Sequence, residues 1–374
     1  METGPILGIL SIPRTHSNHF MGGQSEAFAE IIATAKKMRC TAYVFGPFEI
    51  DWSRQAVLGY RFNPLLQPNP WETQLFPLPT VIYNRIPNRT LENRDDIVEV
   101  LAKLTKKFGA RLFNPCFLDK WKTHTILFNN TVTRTYLPET ALLDSVSVIT
   151  AMLKKHGAVY LKPTANSLGN EIIKVTKKGT GGFHFIHQNL NQDNLEGVVS
   201  SILELPGLQS LLSTPPSYLV QQAIDLAKIN GRPFDLRVLL QKNQRGLWKT
   251  TGMAARAAGD GSITTHVLYG GSRVSALKAI KQAAQNNDFS IPLVMDNLRI
   301  LHSSVPKTIE KAVGHSFGEL EADVGIDNRG NVLLFEANSK PFRFDEKNIR
   351  EKSLVRLIQY TQYLDSRKYG KPAL

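Results

Sequence analysis

Between Glu321 and Asn338 the chain reads EADVGIDNRGNVLLFEAN, and no other segment restricts the fold as tightly. Asn328-Arg329-Gly330-Asn331 is turn chemistry between two alternating runs, which predicts a hairpin with a four-residue loop. In that register residues whose numbers sum to 659 face each other, so Asp323 lies opposite Glu336 and Glu321 opposite Asn338. Period-two alternation then gathers Ala322, Val324, Ile326, Leu333, Phe335 and Ala337 on a core face, and Glu321, Asp323, Glu336 and Asn338 on the other.

Directly opposed carboxylates, with Cβ atoms about 4.5–5.5 Å apart, repel each other unless something positive sits between them. Two carboxylates and an amide carbonyl suit Mg²⁺, which keeps waters and takes further oxygens from substrate phosphates. An acidic sheet face turned to solvent would carry the same pattern. The apolar opposite face and the positive excess elsewhere bring the two readings level on this segment alone.

That excess is 45 Lys+Arg against 32 Asp+Glu, or +13, with a pI near 9.6, and it points to polyanionic partners such as nucleotides, acidic polymers or nucleic acid. No nucleic-acid motif accompanies it, so nucleic acid ranks last. The 374 residues, 42% hydrophobic and 21% charged, are enough for two or three domains and exclude a disordered or fibrous chain. Ile6 to Ile12 is interrupted by Gly8 and Ser11 and preceded by no basic segment, so it reads as a first strand rather than a signal peptide. No run of about 18 apolar residues predicts a membrane span. Cys40 and Cys116 stand alone, in keeping with a reducing, cytoplasmic setting and buried thiols.

Residues 5–115 alternate strand and helix, the pattern of an open α/β domain, with a proline-rich interval at 59–80 expected to be irregular. From about 116 the pattern becomes α+β in two lobes, about 116–215 and 216–374. Helices are expected near 140–156, 193–205, 274–286, 305–315 and 345–365. Lys162 ends the strand Ala158–Lys162 and precedes a small-residue loop containing Asn166, Ser167 and Gly169, one way to cradle phosphates. No G-x-x-x-x-G-K or G-x-G-x-x-G is present. Asp235, Arg237 and Arg256 meet on one face if the hairpin through Asn243–Gly246 holds its register, and fixed cations there would serve phosphoryl chemistry. His184 and His187, three apart on a strand, fall on opposite faces and make no metal site.

In order along the chain, Lys120, Lys162 with its loop, Tyr218–Ala223, Asp235-Leu-Arg237, Asp323 and Glu336-Ala-Asn338 resemble the ATP-grasp superfamily. Asn84-Arg85-Ile86-Pro87-Asn88-Arg89 and Gly270-Gly271 make the chain look most like the YheC/YheD-type branch of endospore coat-associated proteins. The resemblance implies a pre-ATP-grasp-like α/β domain over 1–115 and a two-lobed α+β ATP-grasp domain over 116–374. It places Lys120, Lys162, Ser167, Gly169 and Arg237 with ATP, and Gln221, Gln222, Ala223 and Ile224 at the hinge beside adenine. Asp323, Glu336 and Asn338 would hold Mg²⁺, while Arg256 and Arg273 would steady the transferred phosphoryl group.

The activity implied is an ATP- and Mg²⁺-dependent carboxylate–amine ligase working through an acyl phosphate on a peptide or acidic polymer. Its setting would be the mother-cell cytoplasm and the spore coat, with coat proteins as partners. Three positions depart from the pattern: Asn166 and Glu171 stand where the phosphate loop's first and last glycines are expected, and Glu321 stands where Arg or Gly is frequent. The alternative is a catalytically weakened member with a structural or assembly role in the coat.

Overall fold

The computed structural model describes residues 4–13, 21–66, 69–164, 171–188, 194–212 and 215–367, and three sheets organise them. In the first, Ile6–Leu10 lies parallel between Thr41–Phe45 and Val81–Asn84, and Leu112–Phe113 extends it. Parallel neighbours require crossovers, which helices Ser25–Lys37 and Asp95–Phe108 supply. The central strand ILGIL is buried throughout because both sheet faces are covered.

The 59–80 interval is not irregular. Ala56–Phe62 and Trp71–Pro77 form an antiparallel hairpin on this sheet. Pro64 and Pro70 lie between the strands, and Pro77 ends an outer strand that, among the described residues, pairs only with Ala56–Phe62, where a missing N–H is tolerated.

The second sheet is antiparallel, in the order Leu195–Val199, Phe183–Gln188, Ile172–Lys177, Ala158–Pro163, Tyr218–Gln222, Thr140–Leu142. The helix expected over 193–205 is instead the edge strand Leu195–Val199 followed by a short turn at Ile202–Glu204. Gly197, Val198 and Val199 are poor helix formers, and pairing with Phe183–Gln188 decides the matter. The helix expected from 140 begins at Val146, after the short strand Thr140–Leu142.

The third sheet runs Ser272–Ser275, Trp248–Ala257, Arg232–Lys242, Glu319–Ile326, Val332–Asn338. Helices Ala276–Asn287 and Ile291–Val313 cover one face through Ile280, Val294, Leu298, Leu301, Val305 and Ile309. The second of these was expected only over 305–315. It continues through Pro306 because its buried stripe runs on either side of that residue, outweighing the roughly 3 kcal/mol cost of an interior proline. Helix Lys347–Ser366 sends Leu357, Ile358, Tyr360 and Leu364 into the core of the first sheet, against Phe28 and Ile31.

Candidate active site

The hairpin places the acidic residues as expected, by a different route. Glu321 pairs with Asn338 and Asp323 with Glu336, but the register then shifts, so that Val324 pairs with Leu334 and Ile326 with Val332. The loop therefore has five residues, 327–331, and Phe335 is an extra residue on its strand, a bulge that restores the register at the carboxylates. Val332 and Leu334, rather than Leu333 and Phe335, join the core. Phe335 turns its ring under Gly325, where any Cβ would collide with it, and toward Lys162, whose Nζ lies 5.5 Å from the ring centroid.

Asp323 and Glu336 face a cleft between the second and third sheets, which encloses about 1320 Å³ of empty space including its open mouth. Lys120, at the start of helix Lys120–Phe128, and Lys162, on a strand of the second sheet, line it with Arg256 and Asp235 of the third sheet, and so do Gln221 and Gln222 at the end of the second-sheet strand Tyr218–Gln222 and Ile224 just past it. Arg256 holds Asp235 in a two-bond fork, Nε to Oδ1 at 2.9 Å and Nη2 to Oδ2 at 2.6 Å. Its Nη2 also lies 2.9 Å from Asp323 Oδ1. Lys120 Nζ lies 3.4 Å from Glu336 Oε2. The positive charge that opposed carboxylates require is thus supplied by an arginine on one and a lysine on the other.

Burial works against the Arg256 guanidinium, but Asp323 and Asp235 outweigh it and hold it charged far beyond the working range. Lys162 fares differently: burial, helped by the charge on Lys120 and opposed by Glu336 and Asp323, pushes its ammonium down to about 8. Its Nζ donates to Gln221 Oε1 at 2.6 Å, and Gln221 donates in turn to Thr140 Oγ1 at 3.1 Å.

The chemistry of these donors fits Mg²⁺. Asp323 Oδ1 is buried and makes no hydrogen bond despite the nearby guanidinium, leaving an oxygen lone pair for a hard cation. Among the described residues no three His, Cys, Asp or Glu side chains converge; an ion here would rely on Asp323 and Glu336 plus waters and phosphate oxygens.

Other sequence-chosen residues lie outside the cleft wall. Ala223 gives its N–H to Ala158 O at 3.1 Å. Arg237 ion-pairs with the buried Glu321 at 2.6 Å and lies 4.1 Å from the Phe344 ring centroid. Arg273, opposite Arg256 on the neighbouring strand, pairs with Asp345. Asn338 flanks the carboxylates without lining the cleft. Ser167, Gly169 and Asn166 lie outside the described residues. Glu171 is described: it takes a left-handed φ of +58°, the conformation that favours glycine, and turns its carboxylate to His187 Nε2 at 3.0 Å.

Sequence reasoning missed the cleft residues His124, Tyr160 and His266, together with Thr264 and Thr265. The 262–266 segment has no periodicity to mark it. Asp235, noted beside Arg237, was legible as an ion-pair partner through the Trp248–Ala257 hairpin, where it faces Arg256.

Solved structures place this arrangement in a class. D-cycloserine synthetase DcsG superposes with a TM-score of 0.57 at 12% identity, over 97% of this chain and 100% of that one. The ATP-grasp ligase PsnB, complexed with minimal precursor, Mg and ADP, superposes with a TM-score of 0.50 at 11% identity, over 96% and 97% of the two chains. These likenesses show the ATP-grasp fold. Endospore coat-associated protein YheD of Bacillus subtilis (strain 168) is 28% identical over 384 aligned residues, covering 100% of this chain and 81% of its own length. The model of the YheC/D-like ATP-grasp family matches residues 109–364, and the chain belongs to that family.

Proposed function

We propose that the protein is an ATP- and Mg²⁺-dependent ligase that joins a carboxylate to an amine through an acyl phosphate, on a peptide or acidic polymer of the spore coat. The observation that carries this reading is the convergence of Lys120, Lys162 and Arg256 with Asp323 and Glu336 in one cleft between two sheets. Lys120 and Lys162 would bind the phosphates, Gln221, Gln222 and Ile224 would line the adenine side, and Asp323 and Glu336 would hold Mg²⁺. The metal, when bound, offsets charge on the phosphate oxygens.

In the first step a substrate carboxylate oxygen attacks the γ-phosphorus and the bond to the bridging oxygen breaks, releasing ADP. An amine nitrogen then attacks the acyl carbon, phosphate leaves with the C–O bond's electrons, and the amine gives its proton to solvent. Arg256, held by Asp235, would serve as a rigid donor that steadies the transferred phosphoryl group. No nucleophilic side chain is required. The name of the relative YheD supports the coat setting, and the mother-cell cytoplasm is the compartment that goes with it.

The protein incubated with ATP, Mg²⁺, glutamate-containing peptides and amino acids should release ADP and phosphate, with loss in Glu336→Gln. Absence of nucleotide binding by calorimetry would sink the reading. One observation favours the structural alternative: Glu171 puts a carboxylate at a loop position suited to glycine. ADP release by the wild-type protein at ligase rates would remove that alternative.

A further inference from the structure

The strands Trp248–Ala257 and Ser272–Ser275 pair with each other, but the chain between them takes no short turn. Residues 258–271 leave the third sheet as a strap, line the cleft, and are fastened to the second sheet on its other side. Gln188, fully buried at the end of its strand, accepts from Ser262 Oγ at 3.1 Å and from the Ile263 N–H at 3.3 Å, and donates to Thr264 Oγ1 at 2.9 Å. Tyr160 Oη donates to Ile263 O at 3.0 Å. At the foot of the strap a Cβ on Gly259 would collide with the Tyr269 carbonyl, and one on Gly271 with that of Thr265, so its two limbs lie backbone against backbone. Gly270 takes a φ of +78°. Only glycine permits these approaches, which gives the Gly270-Gly271 pair a physical role.

The strap sets His266 in the cleft wall with Arg256, Asp235 and Asp323. Its Nδ1 accepts the Leu268 N–H at 3.3 Å, so the neutral ring carries its proton on Nε2. Burial, then the charge of Arg256, holds the imidazole below its usual range against the pull of Asp323, and the ring is neutral at pH 7. The Nε2–H has no hydrogen-bond partner among the described residues. Arg256, by contrast, has already committed Nε and Nη2 to Asp235 and Asp323. His266 therefore offers the cleft a hydrogen bond without adding another cation to Lys120, Lys162 and Arg256. It does so beside the carboxylate assigned to the metal and the guanidinium assigned to the transferred group.

We infer that His266 donates its Nε2 hydrogen to the terminal phosphoryl group of ATP and so distinguishes ATP from ADP; the inference rests on the ligase reading above. The glycine crossing at one end of the strap and Gln188 at the other hold the donor in place.

Calorimetry of the full chain with Mg²⁺, comparing ADP with a non-hydrolysable ATP analogue, tests this. His266→Phe keeps an aromatic ring and removes the donor. Affinity for the analogue should then fall about tenfold, as for one hydrogen bond to a charged group, while ADP affinity stays within about twofold. His266→Gln, which keeps an N–H donor, should recover most of the loss. An unchanged analogue affinity in His266→Phe, or a loss shared equally by ADP, would overturn the assignment. Failure of the wild-type protein to bind either nucleotide would instead count against the ligase reading, and the assignment would fall with it.

Discussion

Arg256 Nη2 lies 2.9 Å from Asp323 Oδ1 while the same guanidinium grips both oxygens of Asp235. With Lys120 on Glu336, each carboxylate offered to a divalent cation already has a protein cation beside it. A metal arriving alone must displace them; one arriving with phosphates gives Lys120 and Arg256 new anionic partners. Mn²⁺ titrated by electron paramagnetic resonance should therefore bind the free protein at least tenfold more weakly than the protein with a non-hydrolysable ATP analogue. Lys120→Gln should narrow that gap, and equal affinities in the wild type would refute the coupling.

Lys162 is cationic in the free protein below pH 8 and loses its proton as pH rises past that value, whereas an unfolded chain keeps it to about 10.5. This is a base with a depressed pKa, so the window of change is pH 8 to 10.5. Bound phosphate would restore the ammonium. Nucleotide affinity should fall through this window, and calorimetry at pH 8.5 in buffers of different ionisation enthalpy should report proton uptake on binding. Lys162→Met should abolish the uptake and weaken binding at least tenfold.

Glu171 pairs a left-handed backbone with a carboxylate near the expected phosphate loop. Glycine at this position removes a strain of order 1 kcal/mol and the negative charge together, at the expense of the contact with His187. Glu171→Gly should leave the melting temperature within a few degrees of wild type and lower KM for ATP severalfold; an unchanged KM would show the carboxylate to be electrically remote from the phosphates.

Lys340, two residues past the carboxylate strand, is buried against Glu92 and donates to Asn84 Oδ1 at 3.0 Å. Burial pushes its ammonium down to about 8, against the pull of Glu92. Lys340→Met leaves a carboxylate buried without its cation and should cost about 3–5 kcal/mol in urea unfolding. Lys340→Met with Glu92→Gln should recover part of it, because the buried charge is gone, although the single amide oxygen can accept from only one of the two donors, Asn84 Nδ2 or the Phe117 N–H, that Glu92 holds on separate oxygens.

The acidic hairpin was legible in the sequence because alternation and turn residues act locally; its bulge was not, since Phe335 reads as one more apolar residue until its ring must find room beneath Gly325. Helix 291–313 begins well before the 305–315 expected, because the sheet contacts that hold its first half, through Val294, Leu298 and Leu301, are not visible locally. Lys120, Lys162, Arg256, Asp323 and Glu336 converge as expected. Arg237 and Arg273 turn to Glu321 and Asp345 instead, a choice set by which carboxylates neighbouring segments bring near.

Tyr360 and Leu364 complete a core whose other members, such as Leu7 and Phe28, are made more than three hundred residues earlier. At about 5–20 residues per second, a ribosome takes tens of seconds to travel that distance. During synthesis the first sheet therefore waits with an apolar face uncovered, and either a chaperone or the slow arrival of the last helix governs how much of the protein escapes aggregation.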